Sequence, residues 1–219
     1  MMFLPALLLL FYPVEFFIPK DIRLKQLHNI DFSESGARRR APWHFPALWT
    51  DGVRACLGAF LLRDAWTLEP MAGWLHHVPV IASVLILILS LAAQMHTRRS
   101  EEYFLGPLTY MIGLWLALAP LPVAVVAVAA GGVCLVAFRS LSAFFFCGAA
   151  TVGIFGCVVL HSGPWVAVAA ALGLLPCLLS FFFRRSLAVP MRVEITHERS
   201  RDIPAVRTVR MDETREVKA

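Results

Sequence analysis

Long apolar stretches with few charges follow one another along most of this chain. A helix needs about 20 mostly apolar residues to cross about 30 Å of hydrocarbon, because lipid offers its backbone no hydrogen bonds. The clearest such stretch is Met71–Met95, which stops just before Arg98 and Arg99, and we predict that it spans a membrane. Four further spans are predicted after it: Tyr103–Ala119, Leu121–Phe138, Leu141–His161 and Trp165–Phe183.

The breaks between these spans are of two alternating kinds. The motifs APLP at 119–122 and HSGP at 161–164 contain no Lys, Arg, Asp or Glu, whereas Arg139 and the pair Arg184 and Arg185 are basic. Proline and glycine make short turns, and arginine marks the cytoplasmic side under the positive-inside rule. The pattern therefore predicts tight helical hairpins with the C-terminus in the cytoplasm.

The segment Phe45–Leu62 is harder to assign because it contains Asp51 and Arg54. On a helical wheel these two residues share a face with Ala55 and Gly58, while larger apolar residues occupy the opposite face. An in-plane interfacial helix and a spanning helix with a small, polar inner face both fit this pattern. We expect it to cross, because otherwise the basic residues between positions 20 and 40 would lie outside.

The N-terminal stretch Met1–Ile18 is barely long enough to span, and Pro5, Pro13 and Glu15 interrupt it. If it spans, the chain has about seven transmembrane helices; if it is re-entrant or interfacial, the chain has about six with both ends inside. We favour seven. The predicted fold class is an all-α polytopic transmembrane helical bundle of about seven, alternatively six, spans arranged in short hairpins.

Composition agrees with a membrane-embedded chain, since 58% of the 219 residues are apolar and 16% are charged, against about half and a quarter in soluble domains. Most of the charged residues lie within 20–40 and 186–219. We predict a transmembrane domain over 1–185 with a basic cytoplasmic loop at 20–44, and a charged cytoplasmic tail at 186–219. The net charge of +5 then reflects orientation, so no nucleic-acid partner is predicted.

The tail admits two structures. It mixes seven Lys or Arg with six Asp or Glu, and apolar residues alternate over Val189–Ile195 and again over Arg207–Met211. Such alternation is typical of strands and predicts a β-hairpin. A lone hairpin is only marginally stable in water without a partner surface, so a disordered, solvated tail is the alternative that we favour.

Small residues four apart allow membrane helices to approach closely, and two adjacent predicted helices carry such stripes. All five cysteines lie inside predicted spans and no CxxC motif occurs. We therefore interpret the cysteines as packing residues and predict neither disulfides nor a metal site. The two stripes are Ala149, Gly153 and Cys157 on one helix, and Ala169, Gly173 and Cys177 on the next.

Three ionisable residues within predicted spans form a candidate intramembrane polar site. Asp51 and Arg54 are one turn apart on the same face, and Glu15 lies toward the inner end of the first segment. A charge at the centre of a spanning helix costs roughly 2.5–3.5 kcal/mol on insertion scales, so such residues are candidates for function. A structural ion pair is the simpler interpretation, and movement of a proton or ion is the functional one.

A second candidate is a cluster at the outer face of the membrane. Imidazoles and carboxylates at one depth can bind a metal or relay protons. Adjacent histidines, however, point about 100° apart on a helix, and the HExxH motif is missing. We therefore favour histidines that contact headgroups or water, and we predict no cofactor. The cluster consists of Asp64, Glu69, His76, His77 and His161.

The sequence contains no catalytic motif that we can identify, including the GxSxG elbow of serine hydrolases. We expect a non-catalytic subunit or scaffold of a membrane complex, in a bacterial plasma membrane, whose partners are the lipid bilayer and a membrane or cytoplasmic protein. The alternative is a small transporter or channel component with a polar path at Glu15, Asp51 and Arg54. The third possibility is a membrane enzyme that uses the outer-face cluster.

Overall fold

The computed structural model of the protein describes residues 3–12, 23–25, 46–65, 77–96, 103–161 and 163–191. Within these ranges the chain is predominantly helical, with seven helices and three short strands. The helices are α1 (Phe3–Phe11), α2 (Pro46–Ala65), α3 (His77–Met95), α4 (Leu108–Leu118), α5 (Leu121–Phe138), α6 (Leu141–Thr151, continued by a π-helix over Val152–Val159) and α7 (Pro164–Phe182). The strands are β1 (Arg23–Lys25), β2 (Tyr103–Leu105) and β3 (Ser186–Met191).

The helix boundaries lie where proline, glycine and arginine interrupt the apolar sequence. Pro120 precedes α5, and Pro164 opens α7 after Gly163, in the first turn where a missing backbone N–H costs nothing. Arg139 separates α5 from α6. The predicted span Tyr103–Ala119 is helical only from Leu108, because its first residues form β2 and Pro107 stands at the helix start.

Three helices of the described residues are long and apolar enough to cross a membrane, namely Leu121–Phe138, Leu141–Val159 and Pro164–Phe182. The apolar stretches Val80–Met95 and Leu108–Leu118 are shorter, and the nine residues of α1 extend over only about 14 Å. The three long helices support the prediction of a helical, membrane-embedded protein. The count of seven spans stays a prediction.

The three strands form one sheet in the order β1-β3-β2. Strand β3 is antiparallel to β1, with Arg23 opposite Met191, and parallel to β2, with Tyr103 opposite Ser186. Strands β1 and β3 come from segments that the sequence predicts on the cytoplasmic side, and β2 forms the cytoplasmic end of the predicted span Tyr103–Ala119. We call this end of the bundle the sheet end and the opposite end the far end. The second half of the predicted hairpin, Arg207–Met211, lies outside the described residues, so the hairpin stays a prediction.

The core centres on α4, whose Trp115 is fully buried between α6 and α7. Its indole N–H donates to Ala169 O at 3.2 Å, and its ring stacks on Phe144 with centroids 5.6 Å apart. Gly148 of α6 and Gly173 of α7 leave room for this ring, since an added Cβ would approach it to 2.1 and 3.0 Å. Helices α6 and α7, which carry the small-residue stripes, are therefore in contact with each other and share Trp115.

The closest helix approach joins α2 to α4. A Cβ added to Gly113 would lie 2.1 Å from Gly52 O, a backbone atom, so the two helices touch backbone to backbone as small residues permit. Near the far end, Arg63 donates to Ala117 O at 3.2 Å. The two contacts show that α2 and α4 run in the same direction from the sheet end.

Candidate functional site

Helix α1 ends inside the bundle, beside the middle of α2. It runs antiparallel to α2, because Leu10 packs on Gly58 and Tyr12 O lies at Arg54. The last carbonyls of any helix have no partner within the helix, and burying them unbonded costs about 1–3 kcal/mol each. The residues that meet the carbonyl end of α1, together with their own side-chain partners, form a group that we call the polar cluster: Asp51, Arg54, Ser90, Gln94 and Tyr110.

Gln94 of α3 supplies two of the required donors. Its side-chain Nε2 lies 3.0 Å from Leu10 O and 2.9 Å from Tyr12 O, and an amide nitrogen carries two protons for these two acceptors. Gln94 is 2% exposed, so water does not compete for either bond. A single side chain thereby fixes the end of α1 against α3.

Tyr110 of α4 and Ser90 of α3 extend this network. A hydroxyl has one proton to donate. Ser90 Oγ donates its proton to Leu87 O at 2.9 Å, so it accepts from the Tyr110 hydroxyl at 3.0 Å. The Tyr110 oxygen also lies 3.3 Å from Leu10 O. Both side chains are completely buried, and the bond between them joins α3 to α4 beside the end of α1.

Arg54 provides the positive charge of the cluster, and Asp51 balances it. The Arg54 guanidinium donates to Tyr12 O and forms an ion pair with Asp51; its Cζ lies 6.0 Å from the centroid of the Tyr12 ring. Asp51 and Arg54 are only 3% and 6% exposed. A cation at a helix C-terminus is favoured by the negative end of the helix dipole, so Arg54 both closes α1 and neutralises Asp51.

The helical wheel of α2 is confirmed. Asp51, Arg54 and Ala55 are buried in the bundle, while Trp49 and Val53 are exposed on the other face. The structure joins two of the three residues of the candidate intramembrane polar site, Asp51 and Arg54. The third, Glu15, lies outside the described residues.

Sequence reasoning missed Ser90, Gln94 and Tyr110. A signal was available, because Ser90 and Gln94 are polar, lie inside the apolar stretch of α3 and are four residues apart, which places them on one face of the helix. Their partners lie 20 to 84 positions away along the chain. The spacing identifies the polar face of α3, whereas only the tertiary structure identifies what that face contacts.

The arrangement of the polar cluster suits a structural role. Each hydrogen-bonded donor is directed at a protein atom, and the paired charges of Asp51 and Arg54 cancel locally. One polar atom, the Arg54 Nε, is buried with no hydrogen-bond partner among the described residues. A cavity of about 240 Å³ lies between α2 and α4, but none of the five cluster residues lines it; its walls are Trp49, Gly52, Val53, Cys56, Leu57, Thr109, Ile112, Gly113 and Leu116.

The structure describes only three of the five residues of the outer-face cluster. Asp64 in α2 and His161 after α6 are exposed, and His77 is the first residue of α3. Glu69 and His76 lie outside the described residues. Within the part of the chain that the structure describes, no group of three His, Cys, Asp or Glu side chains is placed to hold a metal ion, and the five cysteines are free thiols. The cluster stays a prediction.

No protein-family model, curated protein or solved structure matches this chain.

Proposed function

We propose that this chain is a non-catalytic integral-membrane subunit that holds a membrane or cytoplasmic partner protein at its sheet end. The observation that carries this proposal is the three-stranded sheet, which gathers segments from residues 23–25, 103–105 and 186–191 at one end of an apolar bundle. Sheets of this kind fix their members by backbone hydrogen bonds. The sheet therefore provides a defined platform beside the membrane.

Two charged segments continue directly from this platform. Residues 26–45 follow β1 and residues 192–219 follow β3. Neither segment contains a long run of apolar residues. Segments of this composition do not build a core of their own. Their starting points are nevertheless set by the sheet, so they are available to a partner from fixed positions.

The polar cluster supports a non-catalytic role. Gln94 and Arg54 donate to the carbonyls at the end of α1, and Asp51 is paired with Arg54. Groups that are committed to closing a helix end are unsuited to cycling protons or substrate. In this interpretation, the free energy spent on burying these polar side chains serves to hold α1 in place.

The test is purification of the full chain from its native membrane after mild chemical cross-linking. We expect one other chain to co-purify at a fixed stoichiometry. A variant that ends at Met191 retains all of the described helices and strands, and we expect it to lose that partner while keeping the thermal midpoint of the full chain.

Recovery of the full chain as a lone monomer from cross-linked native membranes would contradict the proposal. Retention of the partner by the shortened chain would contradict the role given to residues 192–219. A lowered thermal midpoint in the shortened chain identifies a folding defect, and it is measured first for that reason.

One observation favours a small transporter as the second candidate. Helix α1 is short and ends inside the bundle at a buried ion pair, and transporters often bind ions at the ends of such broken helices. In a reconstituted flux assay, Asp51→Asn and Arg54→Gln would each abolish transport in this case. Unchanged flux of every tested solute in both variants would rule out this candidate.

A further inference from the structure

The sheet end carries three arginines that belong to neither the polar cluster nor the sheet's pairing pattern. Arg139 follows α5, and Arg184 and Arg185 follow α7. We call these three residues the basic rim. We infer that the basic rim binds the headgroups of anionic phospholipids, with the adjacent phenylalanines in the hydrocarbon.

The fold brings the two parts of the basic rim to the same end of the bundle. Cys177 of α7 lies with its Sγ 3.4 Å from Ser142 O at the start of α6. The Leu141 side chain meets Gly106, whose N–H donates to Ala188 O of β3 at 2.8 Å. The residues just before α6 and just after α7 therefore lie around one patch of the sheet end.

The backbone presents two of these arginines in an unusual conformation. Arg139 has φ 49° and Arg184 has φ 52°, in the left-handed region that glycine usually occupies after a helix. Both side chains are exposed. Arg185 is less exposed, and its guanidinium lies 5.4 Å from the centroid of the Phe104 ring, which in turn packs edge-on against Phe183 at 5.9 Å.

Exposed aromatic rings lie directly beside the basic rim. Phe138 is 68% exposed, Phe181 79% and Phe182 75%. Rings so exposed at the ends of helices that are long and apolar enough to span are suited to the hydrocarbon just inside the interface. The guanidinium groups next to them then lie at the level of the phosphates, where arginine donates hydrogen bonds to phosphate oxygens.

The charges at this end are complementary to an anionic headgroup. Asp51 and Asp64 are the acidic residues within the described ranges; Asp51 is paired inside the bundle and Asp64 lies near the far end of α2. Over the segments up to Met191 that are predicted on the cytoplasmic side, the sequence has eleven Lys or Arg and five Asp or Glu. Juxtamembrane basic groups of this kind are attracted to anionic lipids.

The inference rests on the membrane insertion of α5 to α7 and does not require a partner protein. Its test therefore uses purified chain and defined lipids, whereas the proposed subunit role is tested in the native membrane. Either can fail while the other stands.

The experiment measures lipid binding to the delipidated full chain in detergent by native mass spectrometry. Phosphatidylglycerol and phosphatidylcholine with the same acyl chains are compared. We expect phosphatidylglycerol to bind roughly tenfold more tightly, the preference that one or two favourable headgroup charges give. Equal binding of the two lipids to the wild-type chain would overturn the inference.

Two triple variants assign the preference to the basic rim. Replacing Arg139, Arg184 and Arg185 with Gln is expected to abolish the preference, whereas replacing the same three residues with Lys, which retains the charge, is expected to preserve most of it. Arg63→Gln at the far end is the positional control and should leave the preference unchanged. A folded triple Gln variant that keeps the wild-type preference would overturn the inference.

A salt titration of the wild-type chain keeps the inference testable should the triple Gln variant fail to fold. Raising ionic strength from about 0.05 M to about 0.5 M shortens the screening length severalfold, and we expect it to remove most of the preference for phosphatidylglycerol. A preference that is insensitive to salt is not electrostatic and would overturn the inference.

Discussion

At the scale of single residues, Arg54 joins two features of the fold. It brings a positive charge to the carbonyl end of α1 and balances Asp51. A buried ion pair is seldom more stable than an apolar pair of the same shape, but removing one partner leaves an uncompensated charge that costs about 3–5 kcal/mol. We therefore infer that Arg54 fixes the position of α1 but adds little to the net free energy of folding.

Arg54→Gln should destabilise the protein more than Asp51→Asn. The first change removes the cation from the end of α1 and leaves Asp51 buried without its partner, at a cost of about 3–5 kcal/mol. The second retains the guanidinium, and the Asn side-chain oxygen can still accept from it, so we expect about half of that cost. Thermal unfolding in detergent measures both variants. Arg63→Gln, which loses one hydrogen bond to Ala117 O, is the control, and equal losses for Arg54→Gln and Asp51→Asn would contradict the expectation.

Arg184→Gly should raise the thermal midpoint in zwitterionic detergent. Arg184 has φ 52°, and a left-handed conformation costs a residue with a Cβ about 1–2 kcal/mol, which glycine avoids. The larger entropy of glycine in the unfolded chain offsets part of this gain, so we expect a net stabilisation of about 0.5–1 kcal/mol. A lower midpoint would show that the Arg184 side chain stabilises the bundle even without anionic lipid.

At the scale of the elements, the contact between α2 and α4 depends on two glycines. Small residues at a helix interface let two backbones approach closely. Gly52 and Gly113 bring the backbones into contact, and this contact positions Arg54 of α2 beside Tyr110 of α4. The small-residue stripes of the sequence lie on α6 and α7, which do contact each other around Trp115; no stripe in the sequence analysis indicated the contact between α2 and α4.

Gly113→Ala should therefore destabilise the protein, whereas Gly132→Ala should not. The new Cβ at position 113 would lie 2.1 Å from Gly52 O, and backbone cannot move aside as a flexible side chain can; overpacking of this kind costs about 1–3 kcal/mol. Gly132 of α5 has open space around its Cβ position, and alanine favours the helix there by up to about 1 kcal/mol. The two variants differ by one methyl group each, so thermal midpoints compare them directly. Similar shifts in both would contradict the role of the α2 and α4 contact.

At the scale of the whole molecule, the sheet and the long helices together define two ends. The 18 to 19 residues of α5, the extended α6 and α7 correspond to about 27–29 Å of helix, close to the thickness of the hydrocarbon core. The turn at Arg139 and Ser140 lies at the sheet end, and Gly163 lies at the far end. The two turns should therefore be on opposite sides of the membrane.

Impermeant thiol reagents test this orientation. In a chain whose five native cysteines are replaced by Ala, Ser140→Cys should react only in inside-out vesicles and Gly163→Cys only in right-side-out vesicles, because the positive-inside rule places Arg139 in the cytoplasm. The two variants control for each other in the same preparation. Reaction of both cysteines from the same side would contradict a membrane-spanning α6.

The sequence by itself determined the long helices, although it did not predict β1 and placed β2 in a helix. Each membrane helix must satisfy its own backbone hydrogen bonds, so apolar length, proline and arginine were enough to place α5, α6 and α7 within a few residues and to assign the buried face of α2. The first two segments were harder to predict, because Pro5, Pro13 and the charges of α2 weaken the signal of a span.

Only the tertiary structure decided which elements meet. Gln94 and Leu10 are 84 positions apart, and β1 pairs with a strand more than 160 positions later. The sequence around one partner does not specify the other, because a given donor, acceptor or small residue can pack against many different segments. Arg54 and Gln94 bond the end of α1 because buried carbonyls need hydrogen-bond donors. These donors reach the carbonyls only when α1, α2 and α3 are packed together.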